Sequence, residues 1–154
     1  MAFLKAYNHL KENGLDDRVI EFDVSSATVS DAAKALNCEE KLIAKTMGFL
    51  VGDNAILIVA AGDAKIDNSK YKKYFGLKAK MIPWDDVLKF IGHEPGGVCP
   101  FGINDGVDVY LDESLRRFEI VYPACGSSNS AVRLKIDELE KSSNFKNWID
   151  VCKY

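Results

Sequence analysis

The chain has 154 residues, 47% of them hydrophobic and 28% charged, with a formal net charge of −3. That length builds one compact domain with its own core and is too short for two, and the ordinary composition excludes a disordered chain. The small negative charge gives no overall attraction to nucleic acid.

The first residues are too polar for a signal peptide, because Lys5, Lys11 and Glu12 interrupt any apolar run. The longest apolar run, 55–61, is far too short to cross a membrane. Four cysteines (Cys38, Cys99, Cys125 and Cys152) lie far apart without paired spacing, which argues against zinc and against a secreted disulfide framework. A reducing cytoplasm is the expected compartment.

In chain order, the spacing predicts an amphipathic helix over 2–13, with Phe3, Tyr7 and Leu10 on one face and Gly14 ending it. A short strand follows over 19–22. Thr28 caps a helix with Asp31 as its box partner and Val29, Ala32, Ala33 and Leu36 facing inward. Residues 42–51 read as a strand, 52–54 as a turn, and 55–61 as a strand buried on both faces. A helix over 68–75 closes at Gly76, a strand covers 79–82, and a helix over 84–91 closes at Gly92. Later strands are predicted over 108–111, 118–123 and 131–136, and Asp137 with Glu140 boxes the start of a last helix. Helices and strands mix without strict alternation. The expected fold is therefore mixed α/β in a single domain over 1–154, a mostly antiparallel sheet or partial barrel surrounded by helices.

Lys45 is the first unusual residue. It shares one strand face with Ile43, Met47, Phe49 and Val51, and the other face carries no charge either. A lysine there must snorkel, pair or line a wet cavity, because burying an unpartnered ammonium is costly. The segment 92–106 is the second, with five of the chain's eleven glycines and two of its four prolines. Gly96 and Gly97 leave the backbone bare, so that amide groups can point at a developing oxyanion; a rigid surface turn has the same composition. Cys99 lies in this loop six residues after His93, but the spacing matches no nucleophile signature, and packing beneath the loop is the favoured reading. His9 and His93 alone make no metal cluster.

Residues 63–80 hold six lysines against two aspartates, a local charge of +4, with Tyr71 and Tyr74 among them. Lys70, Lys72 and Lys73 are the candidate tRNA-binding residues of this patch; a solvated helix face with two core tyrosines is the plainer reading. The small polar stretch 125–130 between two predicted strands fits either a turn or the wall of a small pocket.

Three segments, Ile43-Ala44-Lys45-Thr46, Pro95 to Gly102 and Ala124-Cys125-Gly126-Ser127, stand in the order and spacing of the YbaK/EbsC-like family. These are free-standing relatives of the editing domain found in bacterial prolyl-tRNA synthetases, and the resemblance runs over nearly the whole chain. It implies hydrolysis of the ester joining a mischarged small amino acid, alanine, cysteine or similar, to tRNA, mostly tRNA for proline. It implies catalytic roles for Lys45 and for the amides of Gly96 and Gly97 in the Gly-x-x-x-Pro loop over 96–100. Phe22, Val98, Cys99, Pro100, Ala124, Gly126 and Ser127 are then expected at the substrate. Neither metal nor cofactor is implied, since the tRNA 2′-hydroxyl helps to activate water. The implied partners are the tRNA acceptor end and a prolyl-tRNA synthetase. Cys99 stands where relatives often carry Ser or Thr, and Ala124 where cysteine-clearing relatives can carry a hydroxyl. The competing expectation is a non-catalytic regulatory module that binds tRNA, a nucleotide or a synthetase.

Overall fold

The computed structural model describes residues 2–154. Its elements run α1 (Ala2–Glu12), β1 (Val19–Glu21), α2 (Val29–Leu36), β2 (Ala44–Val51), β3 (Asn54–Ala61), β4 (Lys65–Ile66), α3 (Asn68–Phe75) and α4 (Val87–Ile91). Then follow β5 (Asp108–Asp112), β6 (Ile120–Val121), β7 (Ser130–Val132), β8 (Leu134–Lys135), α5 (Ile136–Ser143), β9 (Asn147–Ile149) and β10 (Cys152–Lys153).

The core is a four-stranded sheet in the order β2-β3-β5-β9. The β2–β3 pair is an antiparallel hairpin, and β5 and β9 add in parallel. β3 is buried from Ala55 to Ala61 because strands flank it on both edges and apolar side chains cover both faces. The three smaller ladders, β1–β7, β4–β10 and β6–β8, are all antiparallel. The fold is mixed α/β, as expected, and no barrel closes.

Local chemistry explains the helix ends. The Thr28 hydroxyl accepts from the Asp31 N–H at the start of α2, and Asp67 accepts from the Ser69 and Lys70 N–H groups at the start of α3. Gly76 and Gly92 close α3 and α4 in the left-handed region, with φ of +78° and +99°.

Several boundaries differ from expectation. Residues 79–82 form only an isolated bridge, Met81 to Phe49, because Pro83 follows and has no N–H to extend the pairing. The run 131–136 divides at Arg133, since its first part pairs with β1 and its second with β6. Pairing over 118–123 shrinks to β6 for a related reason, as Tyr122 turns instead to bridge Ile43. The last helix begins at Ile136, and Glu138, not Glu140, folds back to take the Lys135 N–H. In α1 the buried residues are Ala6 and Leu10, while Phe3 and Tyr7 are half-buried and stack on one another.

Candidate active site

β2 is an outer strand of the central sheet, and its exposed edge is only partly covered. At one end the Ala44 N–H donates to the Tyr122 carbonyl. At the other, the Ile82 N–H donates to the Gly48 carbonyl and the Leu50 N–H to the Lys80 carbonyl. Between these contacts opens a cavity of about 420 Å³. Its walls come from the start of α2, from β2, from the 81–87 segment, from the 95–98 loop and from Tyr122, Ala124 and β7.

Lys45 is the charged side chain among the described residues that line it, and the remaining wall is mostly apolar. Its ammonium is half-buried and donates to the main-chain carbonyl of Ala64. Burial pushes the Lys45 pKa below the ordinary lysine range, against the opposing pull of Cys152 and Asp63. Asp63 is itself engaged by Arg117 through two bonds of 3.0 and 2.6 Å, which hold its carboxyl below the usual range.

The loop opposite Lys45 is held by packing. Gly97 is buried, and a Cβ there would lie 2.7 Å from the Ser127 nitrogen and 2.8 Å from the Gly126 carbonyl carbon. Its N–H donates to the Glu94 carbonyl at 3.0 Å. That amide is already spent on the turn, so the expectation that Gly97 offers an oxyanion donor is corrected. The Gly96 and Val98 amides have no protein acceptor among the described residues, and both residues line the cavity. Gly96 adopts φ +93°, a conformation L side chains rarely take.

The other expected site residues divide. Ala124 lines the cavity with Val98 and Pro95. Ser127 does not, but its hydroxyl lies 2.6 Å from that of Ser130, which does. Gly126 is buried against the first turn of α1, where a Cβ would meet the Ala2 carbonyl oxygen at 2.5 Å. Phe22 is tied by its backbone to Asn129 and stays outside the lining. Pro100 is buried and faces a separate depression beside Gly102 and Asn144.

Cys99 has no exposed surface, and burial drives its thiol far above the usual range. Its Sγ lies 3.5 Å from His93 Nε2, but His93 is equally buried and donates or accepts at the Phe101 carbonyl, 2.6 Å away. Cys99 therefore packs beneath the loop and does not reach a substrate in the cavity. No group of three or more His, Cys, Asp or Glu side chains is placed to hold a metal among the described residues.

The lysine patch also divides. Lys70 pairs with Asp150 at 3.1 Å and donates to the Cys152 carbonyl, whereas Lys72 and Lys73 are exposed and enter no ion pair among the described residues. Tyr71 is a core residue, with its ring 5.3 Å from Phe49 and 4.6 Å from Phe75. Sequence reasoning missed Thr28, Thr46, Met81, Trp84 and Ser130 as cavity residues. The one signal available for Trp84 was an indole beside a proline, between two charged segments.

The sequence matches the aminoacyl-tRNA editing domain family over residues 23–142, which takes in β2, the loop and the whole cavity wall. The chain belongs to the aminoacyl-tRNA editing domain family. Within it, the chain is 50% identical to the uncharacterised protein YwhH of Bacillus subtilis over 154 residues, 99% of this chain and 98% of that one. It is also 31% identical over 90 residues to the proline–tRNA ligase of Bacillus pumilus, covering 58% of this chain but only 16% of the ligase. A solved structure of a candidate trans-editing enzyme for prolyl-tRNA synthetase superposes with a TM-score of 0.88 at 25% identity, over 99% of this chain and 98% of that one. This editing domain thus shares its full length with single-domain relatives and a minor part of its length with the ligase. No helix among the described residues is long and apolar enough to cross a membrane.

Proposed function

We propose that this chain is a trans-acting deacylase that hydrolyses the ester between a mischarged small amino acid, alanine, cysteine or similar, and tRNA, with proline tRNA as its substrate. The observation that carries the reading is the confrontation, across one mostly apolar cavity, of a single ammonium at Lys45 and two unpaired amides at Gly96 and Val98.

In this reading the acyl group enters between Ala124, Val98 and β7. Water adds to the ester carbonyl, and its proton passes toward the neighbouring 2′-hydroxyl of the terminal ribose. The carbonyl oxygen takes the negative charge. The Gly96 and Val98 amides, fixed in place before the reaction, donate to that oxygen, and each such donor is worth ~100–1,000-fold in rate. The ester carbon–oxygen bond then breaks, the ribose oxygen recovers a proton, and the free amino acid leaves. Lys45 holds the terminal nucleotide or opposes the developing charge. An ammonium in a mostly apolar wall acts more strongly than it would in water.

Selectivity falls to the size of the pocket, since one methylene in an apolar site discriminates by only about 10–200-fold. Ala124, with no hydroxyl to offer, favours an apolar acyl side chain over serine. The test is hydrolysis of proline tRNA charged with alanine, cysteine, serine or 2-aminobutyrate. Clearance of one of the apolar or thiol esters well above its spontaneous rate supports the reading, and spontaneous rates for all four refute it.

A further inference from the structure

The cavity mouth carries a feature that the hydrolytic reading leaves unused. After 80–82 docks on the edge of β2, Pro83 ends the pairing and the chain delivers Trp84 to the rim. The indole is 74% exposed and Met81 beside it is 60% exposed, yet both line the cavity. No other ring packs against Trp84 among the described residues. Exposed apolar surface gathered at the mouth of a cavity marks a contact site.

The open edge of β2 lies in the same cavity. Ala44, Gly48 and Leu50 turn backbone groups outward, to Tyr122, Ile82 and Lys80. By the two-residue alternation of an antiparallel strand, Thr46 turns its N–H and C=O to the same side. The 120–122 chain departs after Tyr122 and the 80–82 segment arrives only at Gly48, so Thr46 sits in the gap without a backbone partner among the described residues. A strand edge of this kind offers a donor and an acceptor side by side.

We propose that Trp84 and the open main-chain edge of Thr46 form a seat for the terminal adenine of the tRNA acceptor end. The base lies on the indole face, its ring nitrogen accepts from the Thr46 N–H, and its 6-amino group donates to the Thr46 carbonyl. The proposal rests on the deacylase reading, because the ester is what carries the terminal adenosine to the cavity. Lys80 and Lys89, both exposed on the flanking segments, supply positive charge for the adjoining phosphates. Trp84 is a positioning residue here, since it does not touch the ester.

The chain's two tryptophans allow a direct test. Trp148 is held in the fold by Glu140, to which its indole N–H donates at 2.9 Å, and by Arg116 over its ring. In a Trp148→Phe background, Trp84 is the sole tryptophan reporter. The trinucleotide CCA should quench its fluorescence saturably, and the same trinucleotide ending in purine riboside, which lacks the 6-amino group, should need a several-fold higher concentration. Trp84→Ala should raise KM for mischarged tRNA roughly 10- to 100-fold with kcat nearly unchanged, and Trp84→Phe should restore most of it. So exposed a side chain can be removed without unfolding the protein.

Absence of quenching by CCA, or a wild-type KM in Trp84→Ala, overturns the proposal; continued hydrolysis in that case leaves the deacylase reading standing. Equal affinity for the two trinucleotides overturns the part assigned to Thr46. Wild-type KM combined with loss of binding to a synthetase assigns the rim to a protein contact and also overturns the proposal. If the wild type hydrolyses nothing, the deacylase reading fails, while the CCA titration still decides the seat.

Discussion

The ammonium of Lys45 donates to the main-chain carbonyl of Ala64, a residue with no exposed surface, and so hangs between the fold and the cavity. An ammonium carries three protons, and one is committed to this carbonyl, which leaves two for a substrate. Burial disfavours the charged form and lowers its pKa. The sign follows: Lys45 loses its proton at lower pH than a free lysine, so a reaction that needs the ammonium falls off early on the alkaline side. The unfolded chain keeps that proton to higher pH, so this group's contribution to stability improves as pH rises between its folded and unfolded pKa. A pH–rate profile, corrected for spontaneous ester hydrolysis, should show an alkaline fall below the ordinary lysine range. Residual activity in Lys45→Arg should show no such fall, because a guanidinium keeps its proton there.

The two loop glycines should separate by mechanism. Gly97→Ala drives a Cβ into the backbone of Ser127 and Gly126, so it should destabilise the protein by about 1–3 kcal/mol and displace the loop. Gly96→Ala meets only the Ala27 Cβ, at 3.2 Å, but forces a side chain to φ +93°, a cost of about 1–3 kcal/mol that the loop relieves by turning its amide away. Both variants should lose activity, and only Gly97→Ala should lose the Gly97–Glu94 turn, as read by amide hydrogen exchange at that site.

Cys99→Ala should retain near-wild-type activity. The thiol has no exposed surface, and its removal leaves only a small void, worth about 1 kcal/mol. Thermal unfolding should register that loss while the deacylation rate stays put. An inactive but folded Cys99→Ala would make Cys99 a reacting group.

Lys72 and Lys73 are free where Lys70 is already paired with Asp150. Reversing the first two to Glu should weaken tRNA binding and flatten its dependence on salt, whereas Lys70→Ala should act more on the contact between α3 and the 150–152 segment. Equal effects from all three, measured as binding against log salt concentration, would contradict this division.

Much of this architecture was legible from local pattern. The unbroken apolar run of β3 announced a strand buried on both faces, and Thr28, Gly76 and Gly92 marked helix ends through chemistry that acts within a few residues. β4, β9 and β10 went unseen because strands of two or three residues hold no periodicity; pairing with distant partners makes them. Lys45 stood out because a charge on an apolar strand is conspicuous. Glycine content pointed to the 92–106 loop, but which of its amides remain free depends on the Glu94 carbonyl turning back to Gly97, and composition carries no trace of that. Trp84 was hidden for the opposite reason, since an exposed indole and a buried one read alike in a sequence.

The most direct test of the account is single-turnover deacylation of proline tRNA charged with alanine or cysteine, with wild type and Lys45→Ala side by side. The account predicts rapid clearance of at least one of these esters by the wild type and a loss of roughly 100-fold or more in Lys45→Ala, with the variant still folded. Equal clearance by the two proteins would contradict the role given to Lys45, and no clearance by either would leave the chain as a binding module.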